Sequence, residues 1–390
     1  MAEHFDVVVI GGGIHGVGVA QAAACAGYTV LLLEQRALAA GTSSRSSKLI
    51  HGGLRYLEGG DFGLVRESLH ERSILLRIAP ELVRLQAFHI PVYPDTRRRP
   101  LTLCAGLCLY ALLGGFQAGS RFRRLRPGEW DDLDGLDTRQ LQAVFRYHDA
   151  QTDDAALTRA VMHSAIMHGA TLACPAEFVG ARVDRERCAV RYREHGSDRH
   201  CTSGVLVNAT GPWVAAVTSR IDPVPPGPPL ELVQGTHLVL DGTLRRGAYY
   251  LEAPQDRRVV FLLPRGEHCL LGTTEHPYTG DPDQVHPLQR EEDYLLEVLH
   301  HYFPARSDQV LGRFAGLRVL PASQAAMSSR SRETQLPVDN EQRPRVVSVY
   351  GGKLTGYRAT AQKVLQRLAP GLPAPRPVAD TARLRLVPVD

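Results

Sequence analysis

Residues 5–34 read FDVVVIGGGIHGVGVAQAAACAGYTVLLLE, and this stretch decides the fold. Residues 5–10 form a short β-branched run without polar alternation, the pattern of a parallel strand covered on both faces. Small residues at helical spacing follow (Gly16, Ala20, Ala23, Ala24), and they let a helix lie close on a sheet. Residues 29–34, TVLLLE, are a second strand. Between the first strand and the helix, Gly11-Gly12-Gly13-Ile14-His15-Gly16 satisfies G-x-G-x-x-G, and Glu34 ends the next strand 18 residues after Gly16. Strand, glycine turn, helix and terminal acid together are a dinucleotide-binding fingerprint. Gly11 permits the tight turn, Gly13 lets backbone approach a pyrophosphate, and Gly16 permits close helix packing. Ile14 and His15 lie at the helix N-terminus, whose N–H groups and partial positive charge suit an anion. Glu34 accepts hydrogen bonds from an adenosine ribose.

Outward from this unit, length and composition bound the answer. A chain of 390 residues exceeds one simple core and predicts about two domains. Apolar residues at 44% and charged residues at 22% exclude wholesale disorder. A net charge of +4 is too slight for a nucleic-acid footprint. Only Lys48, Lys353 and Lys363 are lysines, so arginine abundance is a compositional habit and carries no information by itself. The seven cysteines form no CxxC pair. They read as reduced core thiols of a cytoplasmic protein, with no metal set. The N-terminus runs directly into a strand, without the marks of a signal peptide.

Later segments place the rest of the fold. Residues 62–78 and 154–169 read as helices, 177–184 with 189–194 as a hairpin, and 204–208 as a buried strand. Prolines at 223–229 mark a boundary, after which strands at 237–240, 249–251, 259–263 and 269–272 precede a helix at 291–301. Residues 346–350 and 356–368 return to a strand and helix. Residues 79–150 show no regular alternation, and 370–390 read as a peripheral tail. The expected fold class is α/β. A Rossmann-type FAD-binding domain is assembled from discontinuous segments (1–80, 150–220 and 310–370), and an α+β substrate domain on an antiparallel sheet (81–149 and 221–309) is inserted into it.

Three segments select FAD over a nicotinamide cofactor. The loop GTSSRSSKLIHGG at 41–53 offers Thr42, Ser43, Ser47, Lys48 and Gly52 to an extended ligand. NATGPW at 208–213 breaks a strand end at Gly211. GGKLT at 351–355 forms a second strand–glycine–helix junction, in which Gly352, Lys353, Leu354 and Thr355 present N–H groups to the electron-rich ring of a reduced flavin.

These segments carry a family resemblance. GTSSRSSKLIHGGLRYLE, NATGPW, QGTHLVL, LGTTEH and YGGKLTGYR resemble the FAD-dependent glycerol-3-phosphate dehydrogenases, of the D-amino-acid-oxidase-like flavoenzymes, in the family's order and over nearly the whole chain. The resemblance implies oxidation of sn-glycerol 3-phosphate to dihydroxyacetone phosphate, with electrons passed to quinone or another acceptor. It places Arg55, Arg318 and Lys353 over the flavin, as a phosphate site with catalytic weight, and Phe178 or Val179 at the adenine. The sequence departs from the family in four places. It ends without the family's C-terminal helical domain. It has Thr355-Gly356 where the family has a threonine pair, and Glu275 where an aspartate is expected. It reads GLRVL where a proline commonly follows the arginine.

Removing the hydroxyl proton requires a base near neutral pKa. His237 is the first candidate and His51 the second, while Tyr56 closes the pocket or binds phosphate. Two alternatives stand beside this reading. One is a flavoenzyme of an unphosphorylated 2-hydroxy acid or amine, and the other is a flavin-binding scaffold without turnover. Residues 101–116 are apolar but reach only about 24 Å as a helix, too short to span a bilayer. Arg97–Arg99 and the arginines at 121–126 flank them. They are either a core helix or an element on an anionic membrane surface, which would put the protein on the cytoplasmic face of the inner membrane.

Overall fold

The structure, a computed structural model, describes residues 3–116, 118–322 and 333–389. Its first sheet grows around strand Glu3–Ile10, which lies parallel between Val30–Leu33 and the C-terminal half of Ser197–Asn208. Ala170–Ala173 adds outside Val30–Leu33, and Val346–Ser348 adds beyond Leu206–Asn208, both parallel. The central strands are buried and mostly apolar on both faces from Val7 to Ile10, along Val30–Leu33 and from Val205 to Val207, because both faces are covered there. Val7 and Val9 face a cluster containing helices Ile14–Cys25, Asp154–Met167 and Tyr357–Leu368. Val8 and Ile10 face the opposite cluster, built with Phe178, Val190 and Tyr192. Those residues belong to the hairpin Ala176–Val183 and Cys188–Glu194, which is antiparallel to the first half of Ser197–Asn208.

The second sheet runs in the order His276–Tyr278, Leu230–Leu240, His268–Gly272, Val259–Arg265, Ala248–Glu252, Val83–Val92, Ala143–Thr152, Leu49–Ile50. It is antiparallel except where Ala248–Glu252 meets Val83–Val92. Its side chains alternate with period two. Tyr249, Leu251, Val260 and Leu262 pack toward helix Gln289–Tyr302. Ala248, Tyr250, Val259 and Leu263 pack toward helices Phe62–Ile78 and Pro100–Leu113.

Three expectations are corrected. Residues 79–150 are not irregular, since Val83–Val92 and Ala143–Thr152 pair along their whole length. Polar residues hid the second of these strands. Asp149 is buried in it because Arg72 and Tyr110 donate hydrogen bonds to its carboxylate. Residues 310–321 do not belong to the FAD-binding sheet. Val310–Pro321 pairs antiparallel with Leu230–Leu240, from Leu230 opposite Pro321 to Leu240 opposite Val310. The tail, described to residue 389, is anchored rather than wholly peripheral. The Arg376 and Val378 N–H groups donate to the Ala26 and Cys25 carbonyls at the end of the first helix, and Leu386 is 1% exposed.

Among the described residues, no helix is long and apolar enough to cross a membrane. Helix Pro100–Leu113 buries Leu103, Leu107, Tyr110 and Ala111, while Leu101, Leu112 and the following Phe116 stay exposed.

Because the tail closes over the first helix, Leu386→Ala leaves a cavity in a closed core. It should cost about 2–5 kcal/mol, read as a lower thermal midpoint in protein that still carries its cofactor.

Candidate active site

A cleft of about 370 Å³ runs between the two sheets, from Glu34 past Gly11–His15 to Gly351–Thr355. At its start the backbone is under tight constraint. Gly11 has φ +106°, and a Cβ there would lie 2.8 Å from the Ala209 carbonyl oxygen. The Gly12 N–H donates to Glu34 Oε2 (2.7 Å) and the Ile14 N–H to Ser43 Oγ (2.9 Å), so the acid and the serine loop are tied to the glycine turn. A Cβ on Gly352 would lie 2.3 Å from His15 Nε2. The early and late glycine turns therefore meet at His15. Burial holds its pKa down to about 4.

Of the residues expected at the cofactor, the cleft brings together Gly11, Gly13, Ile14, His15, Glu34, Thr42, Ser43, Ser47, Gly211, Gly352, Lys353, Leu354 and Thr355. Four others lie elsewhere. Gly16 does not line the cleft; its backbone packs on the Gly11 carbonyl. Lys48 turns away to pair with buried Asp154, because its backbone takes φ +57°. Gly52 faces Leu69 and Tyr110, and its N–H donates to the Tyr110 hydroxyl (2.9 Å). Ala176 and Phe178 line the cleft and Val179 does not, since alternate residues of a strand point to opposite faces. Sequence reasoning gave no role to Trp213 and Arg36. The Arg36 guanidinium lies 5.3 Å from the Trp213 ring, at the Glu34 end of the cleft.

A second chamber of about 90 Å³ opens off the cleft and shares Ser47, Leu49, His51, Tyr56 and Arg318 with it. That is well below the ~300 Å³ of a drug-sized pocket, so it suits a small polar molecule. Arg55, Arg258, Arg318 and Glu275 line it. Arg318 Nη1 lies 2.6 Å from Glu275 Oε1, Arg55 Nη1 lies 3.9 Å from the same oxygen, and Arg258 Nη1 lies 3.6 Å from Oε2. Tyr56 lines both chamber and cleft. Lys353 Nζ sits 3.7 Å from its ring centroid and the Arg55 guanidinium 5.7 Å. Arg258 was missed because exposed Arg257 precedes it and nothing in the local sequence distinguishes the two.

His237 is placed differently from the expectation for a base. It is 2% exposed and stacked on Phe314 at 5.0 Å, and its Nε2 is bonded to Ser47 Oγ at 2.9 Å. Burial, then Arg318 and Lys48, push its pKa down to about 3. His51 instead lies where the two cavities join.

The residues fit FAD. The cleft has side-chain-free backbone where a pyrophosphate must approach, and an acid at the ribose end. His15 Nδ1, Trp213 Nε1 and His237 Nδ1 have no hydrogen-bond partner among the described residues. Residues 6–361 match the FAD dependent oxidoreductase family. The chain belongs to that family. It is 38% identical over 379 residues to a glycerol-3-phosphate dehydrogenase of Pseudomonas aeruginosa, spanning 95% of this chain and 72% of that one. It is 36% identical to the D-erythritol 1-phosphate dehydrogenase of Brucella abortus, over 94% of this chain and 74% of that one. The solved structure of the glycerol-3-phosphate dehydrogenase from Bacillus halodurans complexed with FAD superposes with a TM-score of 0.77 at 28% identity, covering 98% of this chain and 68% of that one. The flavoenzyme fold, the FAD cofactor and the resemblance to glycerol-3-phosphate dehydrogenases expected from the motifs are thus borne out.

Acid should loosen this oxidoreductase before its carboxylates titrate. His237 and His89, both 2% exposed, hold pKa values of about 3 and about 4 against 6.5 in the unfolded chain. Between pH 6.5 and those values the unfolded state binds more protons, so stability is lost as pH falls, by up to about 1.4 kcal/mol per pH unit for each group. Urea midpoints at pH 7 and pH 5 measure this, and His237→Asn should flatten the dependence.

Proposed function

We propose that the protein oxidises sn-glycerol 3-phosphate to dihydroxyacetone phosphate, and that the small chamber holds the substrate. The observation that carries this reading is the group of three arginines, Arg55, Arg258 and Arg318, lining a chamber that opens directly onto the cofactor cleft. Guanidinium groups bind phosphate with two parallel hydrogen bonds, so they fix orientation as well as charge. An unphosphorylated hydroxy acid would not require three of them, and a scaffold without turnover would not require them beside the cleft.

FAD, when bound, accepts the hydride that leaves the substrate carbon with its bonding electrons. The chain's own residues do the rest. The arginines anchor the phosphate, and Tyr56, held between Arg55 and Lys353, closes the chamber toward the cleft. His51, at the junction, takes the proton from the hydroxyl oxygen as the carbonyl forms. His237 is assigned a positioning role instead, because a ring with a pKa of about 3 is a poor proton acceptor, and its Nε2 is already bonded to Ser47. Lys353 reaches from the late glycine junction to lie over the Tyr56 ring. The electrons leave to quinone or another acceptor.

Mixing the yellow protein anaerobically with sn-glycerol 3-phosphate should bleach its flavin band. Bleaching by erythritol 1-phosphate alone would transfer the proposal to that substrate. Arg318→Ala should cost about 2–4 kcal/mol of transition-state stabilisation and narrow the preference for glycerol 3-phosphate over glycerol. His51→Asn should slow flavin reduction by ~100-fold or more, while His237→Asn has the smaller effect. Rapid-mixing absorbance measures both, and the reverse order would restore His237 as the base.

The exposed face of helix Pro100–Leu113 is proposed to rest on the cytoplasmic surface of the inner membrane, within reach of a quinone. Leu101, Leu112 and Phe116 would insert, with Arg97, Arg99 and Arg124, all exposed, against anionic head groups. Arg98 does not contribute, since it pairs with Glu58 and Glu252. Sedimentation with anionic vesicles should fall at high salt and in the Leu112→Asp variant. Protein that stays in the supernatant at low salt would point to oxygen or a soluble acceptor.

A further inference from the structure

The chamber that would hold the phosphate already contains an anion of the protein's own. Glu275 is 5% exposed, yet it lies against all three arginines, at 2.6 Å from Arg318, 3.6 Å from Arg258 and 3.9 Å from Arg55. The arginine side chains remain about a quarter exposed, at 25%, 24% and 25%. All three side chains line the chamber, while the carboxylate is almost shut off from water. Arg258 is further held by Asp256, at 2.7 Å, and its Nη1 donates to the Glu275 carbonyl oxygen at 2.9 Å. Arg258 thus stays in place whatever the Glu275 side chain does. Arg318 has the shortest bond to the carboxylate, and it is the one arginine of the three that lines both chamber and cleft.

We propose that Glu275 is an exchangeable counter-ion of the phosphate subsite. When a phosphate monoester enters, Arg318 transfers its hydrogen bond from the Glu275 carboxylate to a phosphate oxygen. When the product leaves, the carboxylate takes Arg318 back. No covalent bond changes. Without the ligand, the carboxylate relieves the mutual repulsion of three guanidiniums facing one small space. With the ligand bound, it stands a few ångströms from another anion and weakens its hold. Substrate and product carry the same phosphate, so this loosening acts on both, and a site with unopposed arginines would retain its product. The inference rests on the phosphate reading of the chamber.

The test is calorimetric titration of the FAD-loaded protein with inorganic phosphate, at fixed pH and ionic strength. Wild type should bind it, and Arg318→Ala should bind it at least ten-fold more weakly. Glu275→Gln keeps the shape and removes the charge, and it should bind phosphate about ten-fold more tightly. Its KM for glycerol 3-phosphate and its kcat should both fall, as product release slows. Glu275→Asp keeps the charge but draws it back by one methylene, and its phosphate affinity should lie between wild type and Glu275→Gln, which separates the effect of charge from that of a lost contact. A bracing role predicts the opposite sign, because arginines without their brace would bind phosphate less well. Unchanged or weaker binding by Glu275→Gln, with FAD content and thermal midpoint retained, overturns the proposal and leaves the phosphate reading intact. Wild type that binds neither phosphate nor glycerol 3-phosphate overturns both.

Discussion

The cofactor cleft depends on a contact that only a missing side chain permits. A Cβ on Gly16 would lie 1.9 Å from the Gly11 carbonyl oxygen, so the first helix can start where it does only because that position has none. The same closeness brings the helix N-terminus to the end of strand Glu3–Ile10, and a Cβ on Gly18 would sit 2.7 Å from the Tyr357 ring of the last helix. Glu34, Ser43 and the Gly351–Thr355 junction are then placed by hydrogen bonds and packing onto that turn. Displacing the helix by the width of a methyl group would separate the early and late glycine turns that meet at His15.

The second sheet holds Arg318 and His237 in register by a different means. Leu230–Leu240 and Val310–Pro321 pair over their full length, with Val233 opposite Arg318 and His237 opposite Phe314. That register fixes how far Arg318 stands from the ring of His237. A buried carboxylate locks the neighbouring strand ends. Glu291 accepts hydrogen bonds from Gln234, Thr236 and Thr274, so the turn that carries Glu275 is tied to the strand that carries His237. Both oxygens of this fully buried group accept hydrogen bonds, as a polar group shut off from water requires.

What could be read in the sequence was whatever is written locally. The glycine turns, the strand at 5–10 and the helix Phe62–Ile78 depend on neighbours a few residues away, and they were found nearly to the residue. Strands Val83–Val92 and Ala143–Thr152 depend on each other across 51 to 69 residues, and their buried Asp149 and His89 broke the pattern that would have revealed them. In the site, the motif arginines Arg55 and Arg318 were found, while Arg258 lacked any motif. Lys48 and Gly52 lie in the loop at 41–53, much of which lines the cleft, but which of its side chains turn inward is set by backbone torsions that composition does not encode. Burial of the His237 ring, which lowers its pKa to about 3, comes from strands far apart in sequence and could not be read from residue type.

The arrangement of the first sheet also has a consequence for how the chain reaches this state. Strand Glu3–Ile10 has one neighbour, Val30–Leu33, close by in sequence. The other, Ser197–Asn208, is nearly two hundred residues away. Until that second neighbour is made, an apolar strand emerges from the ribosome with one edge open. Such long-range pairing slows folding, and unpaired apolar edges invite association with other chains. The half-made protein is therefore a natural client for chaperones, and its yield in cells should depend on translation rate and temperature more than the stability of the finished fold suggests.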